Sequence, residues 1–593
     1  MPSEPAISLL DLPNELLLYI LSSQNGLSSK DIYNVAFISR RLLSLSLNLF
    51  LSNEGIRNPE EETSIYVLRW SSPATDGQPD ALAALNALPD ISRIKRFRCF
   101  FQDPSAKSSR NFVQQAFDLS NAVTRVSRFV NKLRQVDVAE IYLVWDPYYV
   151  SKDKHTTDVP LNEVMRWTEA FRMMVNSILE KGCMSLTIQY DPSFLLLFHF
   201  RSTGPVQKAF SYLKSREDHF LLRWELEQRE GKSSSVEIDR AALLSSVAQA
   251  KQSITSLSIH SPALLTPPFV NWTLSLLHSQ QNLTSLSFAY ISFPKETWAL
   301  VLPIIADAVS TRLTKLQFLR NCPHLDSIDL LHFIAHLPNL TSLSIDRTFR
   351  VRFQNFKSES KSLFSGTYFL PKFLRLSVLK APVELVSILI GTNTPPPAWK
   401  LNGSLSLPNL RELTVYPSSL LIHPPSYVTS SIVVNELLAK LKTRPSSRGL
   451  VFSLDAQMEF TDFQPVFSYI QNINNRREFQ RALWETLSED DVQKLTESGP
   501  GSTPHICFDY ISHLILYKFN PQHPDEKPRS LCLWLHTLFP RVERLTFTCR
   551  LDAQPHQDVH MDDETIQSLI KSLQEICLTV RVLVVDEKSY AIR

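Results

Sequence analysis

One six-residue pattern recurs along this chain and limits what it can fold into. Ile254-Thr-Ser-Leu257-Ser-Ile259 is followed by Leu283-Thr-Ser-Leu286-Ser-Phe288, Leu313-Thr-Lys-Leu316-Gln-Phe318 and Leu340-Thr-Ser-Leu343-Ser-Ile345. These copies start 29, 30 and 27 residues apart. Leu410-Arg-Glu-Leu413-Thr-Val415, Val542-Glu-Arg-Leu545-Thr-Phe547 and Val580-Arg-Val-Leu583-Val-Val585 repeat it, and weaker copies start at Ile94, Val138, Cys183, Phe373 and Ile511. Alternating apolar residues predict a strand with one face in a core and the other open. Helical periodicity precedes most copies, over 270–277, 298–309, 328–337, 433–441 and 565–573. A helix-then-strand unit of about 28 residues cannot bury its apolar face alone and must stack on its neighbours. The expected fold class is therefore α/β, with parallel strands and outer helices.

The unit resembles a degenerate leucine-rich repeat. The full consensus wants Asn or Cys three residues past the last strand position. Asn321 fits, Thr348 and Ser418 are small polar substitutes, and Pro262 and Ile291 depart from it. An unrelated α/β fold with parallel strands is the competing reading. Two stretches break the rhythm, near 190–250 and 446–504. The first includes a mixed-charge segment, 216–229, that reads as helical. Both are taken as insertions or altered repeats. In a curved array the residues between the motif leucines point to the concave side. His260, Lys315, Gln317, Asp346, Glu412 and Tyr416 are the candidate substrate face, polar and of mixed charge without a one-sign stripe.

Composition removes several classes. Glycine numbers 12 in 593 residues, about 2% against a usual share of about 7%, so Gly-rich phosphate-cradling loops are not expected. Gly231-Lys232-Ser233 looks like the tail of a phosphate loop, but Leu226 stands where its glycine belongs. Lys+Arg 61 against Asp+Glu 59 gives a net charge of +2. That balance argues against a general nucleic-acid or membrane-surface binder. No apolar run approaches a membrane span, and Met1 to Ser8 has no basic region of the kind a signal peptide carries. The seven cysteines are scattered, as reduced intracellular thiols are, which predicts a cytoplasmic or nuclear protein. No nucleophile elbow or zinc motif occurs, and His556, Asp558 and His560 read as a polar loop. No catalytic residue, metal or cofactor is expected.

Residues 9–51 have a different texture. Leu12-Pro13-Asn14-Glu15-Leu16 opens a helix, with Pro13 suited to the first turn and Glu15 to the helix dipole. Ser28-Ser29-Lys30-Asp31 reads as a capping box, with Leu27 and Ile32 as its hydrophobic staple. Ile32, Val35, Ile38 and Leu42 continue an apolar face, extended by Leu43, Leu47 and Leu51. Leu-Pro-x-Glu-Leu-x-x-x-Ile at 12–20, then Ser-x-x-Asp-Ile at 28–32, Val35 and Ser39-Arg40-Arg41, resembles the F-box. It departs at Ser39-Arg40-Arg41-Leu42, where many F-boxes carry Cys-Arg-x-Trp.

The resemblance implies a three-helix unit over 1–52 that binds the adaptor protein of an SCF ubiquitin ligase and, through it, a cullin-RING scaffold. Position by position, it implies Leu12, Pro13, Leu16, Ile20, Ile32 and Val35 as contact or contact-supporting residues. A helical cap on the following domain is the alternative. Residues 53–90 read as a linker, acidic at Glu60-Glu61-Glu62, and 91–593 as the repeat array. An F-box before interaction-type repeats implies a non-catalytic substrate receptor holding an unknown protein substrate. The alternative is a leucine-rich-repeat scaffold with no ubiquitin role.

Overall fold

The computed structural model describes residues 12–22, 27–67, 80–101, 112–143, 161–190, 244–265, 269–291, 295–319, 325–346, 373–390, 409–416, 451–457, 511–517, 541–548, 563–585 and 588–592, with shorter pieces between them. The chain forms two compact units. One is Met1–Leu313 with Cys322–His324, and the other is Thr314–Asn321 with Leu325–Arg593.

The first unit begins with three helices, α1 (Asn14–Leu21), α2 (Ser29–Val35) and α3 (Arg40–Asn53). The capping box forms as expected: the Asp31 amide donates to the Ser28 hydroxyl at 3.2 Å, and the Ser28 amide donates to the Asp31 carboxylate at 3.1 Å. The expected continuous apolar face does not run on to Leu42. The chain turns after Val35, the Ser39 hydroxyl caps a new helix at the Leu42 amide, and Ile38 is left 66% exposed on the turn. Leu42, Leu47, Phe50 and Leu51 are the buried face of α3. The Arg41 guanidinium donates to the Leu12 carbonyl at 2.6 Å and to the Asn14 amide oxygen at 2.8 Å, tying α3 to the start of α1. Gly55, at φ +86°, takes the left-handed position that ends α3, and the Ile56 amide closes back on the Leu51 carbonyl at 2.7 Å.

The expected linker over 53–90 is largely folded. Strand β1 (Glu62–Tyr66) pairs in parallel with β2 (Arg93–Phe101), and α4 (Ala81–Ala87) lies between them in sequence, capped by Asp80. The acidic run misled because Glu61 and Glu62 sit at the open side of the sheet, paired with Lys95 at 3.1 Å and Arg98 at 2.6 Å. Thr63, Ile65 and Val67 meanwhile turn into the core. Residues 68–79 lie outside the described residues.

From β2 the chain continues through α5 (Phe112–Lys132), β3 (Gln135–Leu143), β4 (Tyr149–Ser151), α6 (Leu161–Glu180), β5 (Ser185–Tyr190), β6 (Phe194–Leu196), β7 (Phe198–Ser202) and β8 (Trp224–Gln228). It goes on through α7 (Ser246–Lys251), β9 (Ser256–His260), α8 (Val270–Ser279), β10 (Ser285–Ala289) and α9 (Lys295–Val309). Strands β1, β2, β3, β5, β9 and β10 pair in that order, all parallel. Helix α5 buries Leu119, Val123, Val126, Phe129 and Val130, the stripe that helical spacing puts on one face. Helix α6 buries Trp167 and Phe171, which stack at 5.2 Å and meet Phe269 edge-on. Strand β8 pairs antiparallel with β7, and β4 with β6. Residues 224–228 are thus a strand rather than part of the expected helix over 216–229, whose remaining residues lie outside the described set.

The second unit contains β11 (Lys315–Leu319), α10 (Ser327–Ala335), β12 (Ser342–Ile345), β13 (Tyr368–Phe369), β14 (Val378–Pro382), α11 (Val383–Ile390) and β15 (Trp399–Lys400). It continues with β16 (Glu412–Tyr416), β17 (Val451–Gln457), β18 (His513–Tyr517), β19 (Arg544–Thr548), α12 (Asp563–Ile576), β20 (Val582–Val585) and β21 (Lys588–Ala591). Here β11, β12, β14, β16, β17, β18, β19 and β20 pair in order and in parallel, β21 closes the row antiparallel, and β13 and β15 form a separate ribbon. Each unit is thus a mixed α/β layer of parallel strands in chain order, of the solenoid-like kind expected. The helix expected over 433–441 lies outside the described residues.

The motif has a physical reason at each position. Its first, fourth and sixth residues are buried in every strong copy, as Ile254, Leu257 and Ile259 show, and Val542, Leu545 and Phe547 repeat. Its threonine links the repeats. The Thr255 amide and hydroxyl both donate to the Met184 carbonyl, at 2.8 and 3.1 Å. Thr284 does the same to Thr255 at 2.9 and 3.3 Å, and Thr341 to Thr314 at 2.7 and 2.9 Å. Both lone pairs of each carbonyl are then used.

Register corrects two of the weak copies. Ala139 pairs with Leu186, so that copy starts at Val136 rather than Val138. Leu343 pairs with Leu379, so the next starts at Leu376 rather than Phe373.

Candidate functional site

The N-terminal helices present one surface with unusual chemistry. Their core is made by Leu17, Leu21, Ile32 and Ala36 against α3. Opposite it, Leu16 is 49% exposed, Ile20 39% and Tyr19 65%, with Phe37 at 58% beside Ile38 on the turn after α2. Large apolar side chains left exposed on α1 and again on the turn after α2 are the kind of surface that a partner can cover. Of the residues expected to act here, Leu16, Ile20 and Pro13 are exposed, Leu12 and Val35 are half-buried, and Ile32 is buried. Ile32 therefore supports the surface from below. Tyr19 and Phe37 were not singled out by sequence, and Ile38 was read only as part of a continuous helical face. The signal for Phe37 and Ile38 was present, since a turn flanked by two capped helices leaves its side chains outside both helical stripes. The Asp31 carboxyl is held below its ordinary range by its hydrogen bonds to Ser28, so the cap that starts α2 is an ionised one.

The open face of the sheet in the first unit is the second surface. Tyr66, Phe100 and Tyr142 occupy one register row of β1, β2 and β3. They stack at 4.7 and 4.4 Å. Two residues back along β2, Arg98 lies between Glu62 at 2.6 Å and Glu140 at 3.0 Å, and the Tyr142 hydroxyl donates to Glu140 at 2.9 Å. Burial and then the Glu140 charge push the Tyr142 phenol up, so it remains a donor. This row is closed upon itself: its cations and carboxylates satisfy one another. His260 extends the same face and meets the Ser287 hydroxyl at 3.0 Å.

The other candidate substrate-face residues lie on the second unit. Lys315, Gln317, Asp346, Glu412 and Tyr416 all alternate with buried neighbours and project to the open side of the sheet. They do not gather at one point. Lys315 and Glu412 share a row but are separated by Ser342 and Val378, and Asp346 lies two pleats away.

Cys99 and Cys183 are buried thiols held in the protonated form. Burial pushes Cys183 up to about 12 and Cys99 well above its ordinary value. Cys577 donates to the Cys532 carbonyl at 3.1 Å inside the second unit, a proximity that 45 residues of separation hid. Among the described residues no group of three His, Cys, Asp or Glu could hold a metal ion, and no helix is long and apolar enough to cross a membrane. His556, Asp558, His560 and the Gly231-Lys232-Ser233 segment lie outside the described residues. No protein-family model matches the chain, and no curated protein is similar to it.

Proposed function

We propose that the chain is a non-catalytic substrate receptor of an SCF-type ubiquitin ligase. Helices α1 to α3 act as an F-box that binds the adaptor and, through it, the cullin-RING scaffold. The strand arrays act as a degenerate leucine-rich repeat whose open faces hold a protein substrate, in the cytoplasm or nucleus. The single observation that carries this reading is that Leu16, Tyr19, Ile20, Phe37 and Ile38 are left exposed on a helical unit whose core is made by Leu17, Leu21, Ile32, Leu42, Leu47, Phe50 and Leu51. Any rate gain would come from proximity, because holding two reactants together replaces a bimolecular encounter. A pull-down with purified adaptor tests it. Binding lost in the Leu16→Asp plus Ile20→Asp variant supports the reading, and no binding by the parent chain removes it.

A second reading is an interaction scaffold without a ligase. The packing of α3 on α4 favours it, since the helical unit then serves as a cap for the sheet. It predicts that deleting residues 1–52 leaves both capture and cellular abundance of the partner unchanged.

A further inference from the structure

The open face of the second unit is crossed by a row that only the register reveals. Gln317, Ser344, Lys380, Thr414, His513 and Arg544 lie on one line across the strands, with Ser453 between Thr414 and His513. Each of these residue types can donate a hydrogen bond, and none is a carboxylate, which only accepts. Lys380 and Arg544 are exposed, and neither has an ion pair among the described residues. In the first unit, by contrast, Arg93, Lys95 and Arg98 each face a carboxylate at 2.6 to 3.1 Å. Asp346 and Glu412 stand one pleat to either side of the row. His513 lies within the field of both cations: burial, then Arg544 and Lys380, push its imidazole down to about 4, and its Nε2 meets the Thr546 hydroxyl at 2.9 Å.

The expected mixed-charge face therefore contains a one-sign row. It went unseen because Lys380 belongs to a copy read out of register. From β14 to β19 there are four steps of about 4.8 Å, which separate Lys380 from Arg544 by roughly 19 Å. An extended peptide covers that span in about six residues. One phosphate group reaches only one end of it, whereas carboxylates spaced along a chain meet both cations.

We infer that this row binds an extended, carboxylate-rich peptide segment of a partner protein, laid across the strands. This names the substrate class for the sheet surface of the proposed function and rests on that surface, independently of adaptor docking.

Fluorescence anisotropy on the full chain, with no adaptor present, tests it. The probe is a labelled peptide of about ten residues with Glu at alternate positions. The comparison arms are the same peptide with Gln for Glu, one carrying a single phosphoserine, and an oligo(dT) of similar length. The acidic peptide is expected to bind, to weaken as salt rises, and to exceed the Gln peptide by about tenfold or more. Lys380→Ala with Arg544→Ala is expected to cost about tenfold, at an unchanged melting temperature, while Lys571→Ala on the outer helix changes nothing. If the double variant melts early, Lys380→Gln and Arg544→Gln singly are read by the same losses.

Equal binding of the Gln peptide overturns the inference. So does equal or tighter binding of the phosphoserine peptide or the oligonucleotide, or full binding by the double variant. Because no adaptor enters the assay, a failure here leaves adaptor capture untouched, and the reverse also holds.

Discussion

Truncating two side chains on α1 should separate surface from core in a single experiment. Full burial of a large aliphatic contributes about 1.5–3 kcal/mol. Leu16 and Ile20 retain 49% and 39% of their surface in the unbound chain. About half of that energy is thus left for a partner, roughly 0.7–1.5 kcal/mol per residue. Leu16→Ala with Ile20→Ala should therefore weaken adaptor binding by about 1.5–3 kcal/mol, a Kd ratio of about 10 to 150. The double Asp variant should bind below detection, because a carboxylate would be buried without a partner. Either pair should lower the melting temperature less than a core truncation does, since only about half of each side chain is covered in the unbound chain. Leu17→Ala is the mirror case: Leu17 is 1% exposed, so the change should cost about 2–5 kcal/mol of stability. Calorimetric titration with purified adaptor, beside thermal scans of each variant, reads both quantities. A Kd within twofold of the parent for the Leu16/Ile20 alanine pair, at an unchanged melting temperature, refutes the argument that this surface is the docking face.

Three further outcomes follow from the structure. Ser28→Ala removes the cap of α2 and should destabilise that helix by about 1 kcal/mol, read as faster hydrogen exchange at residues 31–35. Because the Asp31 carboxyl is depressed by the same cap, the cap's contribution is complete above the ordinary Asp range and fades as pH falls through the depressed value. Thr341→Val keeps the shape but loses the hydroxyl bond to the Thr314 carbonyl. It should cost about 0.5–1.5 kcal/mol, seen as local exchange along β12 with the rest unchanged. His513 is pushed down to about 4 in the folded chain against an ordinary value near 6.5. The unfolded chain therefore takes up the proton first, and stability falls as pH drops from about 6.5 to about 4. His513→Gln should flatten that slope, and an imidazole that titrates near 6.5 in an NMR titration contradicts the burial argument.

The strands were legible where the motif was strong, because three buried positions per copy leave a periodic trace that tolerates any polar residue between. They were illegible where burial is achieved by other residue types. In β1 the pairing Thr63↔Phe97 puts a threonine at the central buried position, directly after three glutamates. In β17 the pairing Leu413↔Phe452 sets a phenylalanine opposite a motif leucine, inside a stretch read as altered. The slips at Val136 and Leu376 have a related cause. Val136-Asp-Val138 and Phe373-Leu-Arg-Leu376 offer apolar residues at two phases, and only the neighbouring strand selects one. The helical surface was read in part for the opposite reason. Pattern marks which residues repeat at helical spacing, but Ile32 and Leu16 carry the same signal, and burial separates them only once α3 is packed.

The weak copies also explain why this array keeps its order without a regular consensus. A strand in a parallel stack is held from both sides, so one poor copy is supported by two good neighbours. That support is missing at an end strand, and β1, at one end of the first unit's row, and β21, at one end of the second unit's row, carry charge. On β1 Glu62 is paired to Arg98, and β21 reverses direction and leaves Lys588 exposed. Short, charged end strands discourage further pairing by another chain. The surfaces left for recognition are then the pleated faces and the helical tip, and these differ in kind. The tip is apolar and reads as a docking surface for a single fixed partner. The row from Gln317 to Arg544 is polar and salt-sensitive, suited to segments that come and go. The proposed receptor role would use that division, because a partner held permanently on the sheet could not be exchanged, whereas a docked helical unit would stay in place through many exchanges.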